Sequence, residues 1–154
     1  MATAKNSNDV FEMAMGMERI GKDFYDALAV ASDDARVRDF CARAAGDEAG
    51  HLAAFRQMRD EWARSAKSSR VPPEAAEALA ALAKSHIQPD PAAVKKVAIR
   101  GSLKDALAMA MQMEQDSINF YRELLAPLPI SAKVIRGIMA EEEKHLRRLR
   151  ALGG

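Results

Sequence analysis

Six residues have the types and the spacing to do chemistry: Glu18, Glu48, His51, Glu114, Glu142 and His145. Four of them form two Glu-x-x-His pairs, Glu48/His51 and Glu142/His145. Residues three apart share a helix face, so each pair points one way. The other two are lone glutamates in Met-rich stretches, Glu18 in MGMERIGKDFY and Glu114 in MQMEQDSINFY. All six fall inside otherwise apolar stripes, where an unpaired buried carboxylate costs several kcal/mol even after relaxation. Neutral histidines do not offset four such charges. Two divalent cations do, with four positive charges against four negative ones. The chemistry expected of this set is therefore the holding of two metal ions side by side.

The elements that must position them are helices. The first is expected from about Ser7 to Ala31, with Asn6, Ser7 or Asn8 as its cap. Ser32-Asp33-Asp34 ends it and caps a second helix, Asp33 to Ala66. The stripe of that second helix (Val37, Cys41, Ala44, Glu48, His51, Phe55, Met58, Trp62) steps alternately by four and three, the seam of a helix packed in a bundle. A third runs from about Ser102 to Leu125 and is stopped by Pro127 and Pro129. A fourth runs from about Ser131 to Leu152. Between the second and third lies a linker, residues 67–101, broken by Val71-Pro72-Pro73 and Pro89-Asp90-Pro91, with one short helix expected at Glu74–His86. The linker is long enough to cross the bundle. It could equally carry the second helix pair into another subunit as a swapped homodimer or higher oligomer.

The two halves repeat. At an offset of 96, residues 9–25 match residues 105–121 at 8 of 17 positions, among them Met13/Met109, Met17/Met113, Glu18/Glu114 and Tyr25/Tyr121. At an offset of 94, Glu48, His51 and Leu52 meet Glu142, His145 and Leu146. The expectation is one domain over residues 1–154, with helical hairpins at 7–66 and 102–152 related by a pseudo-twofold axis. The metal site should lie near that axis.

Composition narrows the rest. With 154 residues, 49% hydrophobic and 29% charged, the chain has the size and balance of a globular domain. Only 5% of residues are aromatic, and Ala, Met, Leu, Glu, Arg and Lys favour helix over strand. A net charge of +1 gives no electrostatic case for nucleic acid or an anionic membrane. No apolar run reaches the length of a membrane span, and no signal peptide is recognisable, so the expected location is cytoplasmic. The single cysteine, Cys41, excludes an internal disulfide and any Cys-x-x-Cys site.

This pattern, one Glu from each of two helices and a Glu-x-x-His from each of two others, resembles the ferritin-like di-iron carboxylate proteins. The repeated hairpin and long linker are most similar to their rubrerythrin branch. The resemblance covers nearly the whole chain. It implies an all-α, ferritin-like four-helix bundle with two iron ions, although zinc or manganese would also suit the donors. It implies Glu18, Glu48 and His51 as ligands from the first half and Glu114, Glu142 and His145 from the second, with Glu48 and Glu142 as candidates to bridge. The implied activity is an oxidoreductase that reduces hydrogen peroxide or dioxygen, a chemistry of oxidative stress. The alternatives are a ferroxidase or iron-handling protein, and a helical module with a structural metal. Two departures stand out. The family's electron-supplying Cys-x-x-Cys domain has no counterpart in this sequence, so an external electron donor is expected. The family's further glutamate, three residues after the third-helix ligand, is Ser117 here, with Gly21 as its counterpart in the first helix.

Tyr25 and Tyr121, seven residues after Glu18 and Glu114, are candidates to bond a ligand carboxylate across the bundle or to take part in electron transfer; core packing is the alternative. Asp47 and Glu141 occupy matching positions and are candidate partners of the histidines. Met13, Met17, Met109 and Met113 are expected as core filler, Cys41 as a small buried residue, and His86 as a surface residue without a partner.

Overall fold

The computed structural model describes residues 4–67 and 71–153, with side chains from Ser7 onward. The described chain folds into six helices: α1 (Ala4–Ala31), α2 (Ala35–Lys67), α3 (Pro73–Ser85), α4 (Pro91–Arg100), α5 (Leu103–Leu124) and α6 (Ala132–Gly153). A single 3-10 turn at Pro129–Ser131 leads into α6. There is no strand among the described residues.

Local chemistry sets the helix ends. The Ser32 hydroxyl accepts the Asp34 N–H at 3.2 Å and the Asp34 carboxylate accepts the Arg36 N–H at 2.9 Å, which closes α1 and caps α2. Ser102 caps α5 by accepting from the Asp105 N–H at 3.1 Å. The expected start of α1 is corrected. Ser7 and Asn8 sit inside the helix, and the buried Ser7 hydroxyl instead accepts the Trp62 indole N–H at 2.9 Å; the Asn6 side chain lies outside the described residues. The linker also differs from expectation. It holds two helices, because Asp90 accepts the Ala92 N–H and Pro91 supplies a pre-set first turn for α4. Ser68, Ser69 and Arg70 lie outside the described residues.

Helices α1 and α2 form one antiparallel hairpin, pinned by Phe11 against Trp62 with ring centroids 6.2 Å apart and by Arg59 to Glu12 at 2.7 Å. Helices α5 and α6 form the other. Helices α3 and α4 cross along α1, and Gln88 between them donates to the Met13 carbonyl at 2.6 Å. The four long helices thus form the bundle within this chain.

Apolar packing divides into two clusters. Val10, Phe11, Phe55, Trp62, Leu79, Leu124 and Ile135 fill one end of the bundle. Phe24, Leu28, Val37, Cys41, Val94, Leu107 and Leu149 fill the other. Each fully buried side chain of this size contributes about 1.5–3 kcal/mol. The polar residues are held between these clusters. Met13, Met17, Met109 and Met113 pack partly buried against them, as filler should. His86 is not the unpartnered surface residue expected. Its ring packs on Phe120 with centroids 4.6 Å apart, and burial lowers its pKa. No helix of the described residues is long and apolar enough to cross a membrane.

Candidate metal centre

Each of the four long helices delivers its share of the six residues to the middle of the bundle. Glu18 comes from α1, Glu48 and His51 from α2, Glu114 from α5, and Glu142 and His145 from α6. All six are buried, between 1% and 4% exposed. They form two overlapping groups, Glu18/Glu48/His51/Glu142 and Glu48/Glu114/Glu142/His145, each with one ligand atom per residue and all of these within 4.8 Å of one another. Glu48 and Glu142 belong to both. The Glu-x-x-His helices therefore supply the shared carboxylates, while Glu18 and Glu114 each serve one group.

The outward-facing atoms of the site are tied down. The Tyr25 hydroxyl donates to Glu114, and the Tyr121 hydroxyl donates to Glu18. His51 Nε2 meets the half-exposed Glu141 carboxylate at 2.6 Å, and His145 Nε2 meets half-exposed Asp47 at 2.9 Å. Each of these contacts joins one half of the chain to the other, and the repeat converts each into its counterpart. The expected roles of Asp47 and Glu141 as histidine partners hold in this geometry.

The inward-facing atoms have no such partners. One oxygen each of Glu18, Glu114 and Glu142, and Nδ1 of both histidines, are buried without a hydrogen bond. His51 Nδ1 lies 2.9 Å from Glu142 and 3.4 Å from Glu18, and His145 Nδ1 lies 3.3 Å from Glu114 and 3.5 Å from Glu48. These atoms are close, yet they are not aimed at one another. Native interiors satisfy nearly all buried polar atoms, so five orphans around one spot are consistent with a site for metal cations. The donor set, carboxylate oxygens with one imidazole nitrogen per group, suits iron, manganese or zinc rather than soft metals.

Without metal, protons and mutual contacts carry the charge. Burial, then the neighbouring Glu48 carboxylate, pushes Glu18 well above the usual carboxylate range; burial, Glu48 and Glu114 do the same to Glu142. Burial also opposes ionisation of Glu48, but the adjacent Glu18 carboxyl and the His145 and His51 imidazoles outweigh it and bring its pKa down to about 2. Burial disfavours charge on the histidines as well. It is outweighed at His51 by Glu142, Glu18 and Glu48, which raise its pKa, and at His145 by Glu114 and Glu48, which bring its pKa to about 10. Burial, followed by the nearby carboxylates, pushes both tyrosine hydroxyls well above their ordinary range, so they remain donors.

The rubrerythrin family model matches residues 9–153, which spans all six residues and both hairpins. The chain belongs to the rubrerythrin family. Comparison with curated proteins and with solved structures gives no match. The rubrerythrin assignment implies the ferritin-like four-helix bundle that the described helices form. It also gives the two buried Glu/His groups their context, a dinuclear metal site.

The departure read from the sequence at Ser117 and Gly21 has a place in the fold. Ser117 is buried one turn after Glu114. At Gly21, a side chain would begin 3.5 Å from the Glu48 carboxyl carbon, so this position faces the site. Neither carries a carboxylate. Cys41 is fully buried, and burial pushes its thiol up to about 12, which leaves it inert.

Proposed function

We propose that this rubrerythrin-family protein is a non-haem di-iron oxidoreductase that reduces hydrogen peroxide or dioxygen with electrons from an external donor. One ion would be held by Glu18, Glu48, His51 and Glu142, and the other by Glu48, Glu114, Glu142 and His145. The observation that carries the reading is the set of five orphaned donor atoms converging between two apolar clusters. Iron bound there supplies the electrons and the Lewis acidity. The protein's own residues do the rest. Tyr25 and Tyr121 hold Glu114 and Glu18 in place. Asp47 and Glu141 fix the imidazole rings so that Nδ1 faces inward. The apolar clusters exclude bulk water and so strengthen every charge interaction inside.

The second reading is ferroxidase activity, and Ser117 and Gly21 favour it. Without the family's further carboxylate, oxidised iron has fewer protein oxygens to hold it and is freer to leave.

An anaerobic Fe(II) titration of metal-free protein, followed by limiting peroxide or air, separates the readings. Saturation at two irons per chain, near-ultraviolet absorption of the oxidised centre, and repeated turnover with added reductant are expected. Oxidation of many more than two irons per chain would favour the ferroxidase. Binding without oxidation removes the redox reading and leaves a structural metal.

A further inference from the structure

The repeat that relates the two halves is obeyed by every contact described at the site, and it is broken on the protein surface beside it. Next to His145 lies an open cavity of about 310 Å³ whose wall includes Phe40, Arg43, Asp47, Lys144, His145 and Arg148. The offset of 94 turns Arg43 into Gly137, Lys144 into Gly50 and Arg148 into Ala54. The matching surface beside His51 thus has two glycines and an alanine where this one has three cations. A Cβ added at Gly137 or Gly50 would meet nothing within 4 Å, so that surface is open and uncharged at those points.

The three cations are not occupied structurally. Lys144 and Arg148 make no ion pair among the described residues, and Arg43 reaches only the Asp39 backbone carbonyl at 3.4 Å. The sole carboxylate lining the cavity, Asp47, is already engaged with His145 Nε2. Among the residues lining the cavity, the imidazole is the one that also faces the interior carboxylates, through its Nδ1. The Phe40 ring packs edge-on against it, with centroids 6.0 Å apart.

The geometry points to this basic flank as the docking surface for an acidic one-electron donor protein, with His145 as the group through which the electron passes inward. The inference rests on the redox reading above. The four interior glutamates are too buried for a reductant to touch, so electrons must cross at a side chain that spans the wall. Both histidines do, and the wall beside His145 carries three cations where the matching positions beside His51 are glycine and alanine. The cavity is open on one side and its cations come from two helices, which fits an acidic convex surface rather than an enclosed small ion. Each encounter would oxidise the donor by one electron, and two encounters would supply the two electrons needed to reduce an oxidised iron pair held by the six residues. Clustered charge of this kind raises association rates by about 10–10³-fold at low salt.

The test is stopped-flow reduction of the iron-loaded, oxidised protein by a reduced plant-type [2Fe–2S] ferredoxin, an acidic one-electron donor. The wild type is compared with Arg43→Gln/Lys144→Gln/Arg148→Gln and with Lys95→Gln/Lys96→Gln/Arg100→Gln, which removes the same charge from α4. The first variant should lose about tenfold or more of the bimolecular rate at low ionic strength. The difference should vanish near 1 M salt, where screening acts over about 3 Å. The α4 variant should stay within about twofold of wild type. Reduction by a neutral dihydrophenazine should be the same in all three. Equal slowing of both variants, or none in the first, overturns the inference while leaving the centre's redox activity intact. Failure of the wild type to accept electrons even from the neutral donor overturns the redox reading and this inference with it.

Discussion

Tyr121 donates its hydroxyl hydrogen to Glu18, a residue 103 positions earlier in the chain, and Tyr25 returns the same bond to Glu114. These two buried bonds stitch the hairpins together at the metal site. Removing one leaves a buried carboxylate oxygen without a donor, a loss of about 1–3 kcal/mol. Tyr121→Phe should lower the stability of the metal-free protein by that amount, and Tyr25→Phe should do the same. Denaturant unfolding checks both. A loss under about 0.5 kcal/mol in each would mean that the rings matter only for packing.

The shared carboxylate Glu142 should act in opposite directions on stability and on binding. Glu142 holds its proton well above the usual range because burial, Glu48 and Glu114 all oppose its charge. Glu142→Gln keeps the shape without the charge, so the metal-free protein should melt at or above the wild-type temperature. The same variant should lose the melting-point rise that metal gives, a rise worth about 2.7 kcal/mol at a hundredfold excess over Kd. Thermal melts with and without Mn(II) read both effects. A large loss of metal-free stability would show that Glu142 serves the fold rather than the metal.

Metal binding should release protons. In the metal-free fold the Glu114 and Glu48 carboxylates outweigh burial and push His145 up to about 10 from 6.5, and burial with neighbouring charge raises Glu18 and Glu142. A metal ion must displace those protons, so apparent affinity should rise by about tenfold or more per pH unit between pH 6 and 8. Zn(II) calorimetry in two buffers of different ionisation enthalpy counts the protons; none released would refute the assignment. The metal-free protein should behave oppositely. The His145 contribution to stability is complete below pH 6.5 and is lost as pH rises through about 10. Glu18 and Glu142, with raised pKa values, add a penalty that also grows as pH rises. Metal-free stability should therefore fall across that window.

Asp47 and Glu141 are half-exposed, so replacing them should barely touch stability. They fix ring orientation, and loss of such a partner costs about 10–100-fold in metal affinity. Asp47→Asn should weaken the ion at the His145 group, and Glu141→Gln the ion at the His51 group, so each should turn a two-metal titration biphasic. A single unchanged binding phase in both would rule out the orienting role.

Much of this was written locally. A Glu-x-x-His pair fixes two side chains on one helix face wherever that helix goes, because three residues nearly complete a turn. Hence Glu48/His51 and Glu142/His145 were legible, as were the helices that carry them and the repeat that matches Glu18 to Glu114. Cys41 and the methionines read correctly as packing, since their neighbours in sequence already marked the apolar seam. Helix α4 was missed although Asp90-Pro91 is a good helix start, because the two prolines read as a break. His86 was misread because Phe120 lies 34 positions away, and no local pattern announces that contact.

Pairings across the bundle depended on how far each helix slides and turns against its neighbours, which no single helix encodes. The sequence by itself determined that six candidate metal-binding side chains would point inward from four helices, because helical periodicity is a property of the local backbone. Only the tertiary structure decided that Glu48 and Glu142 fall into both groups, that each tyrosine bonds the other half's glutamate, and that Arg43, Lys144 and Arg148 gather on one flank. Those relations come from the relative placement of separate helices, and packing of the two apolar clusters sets it.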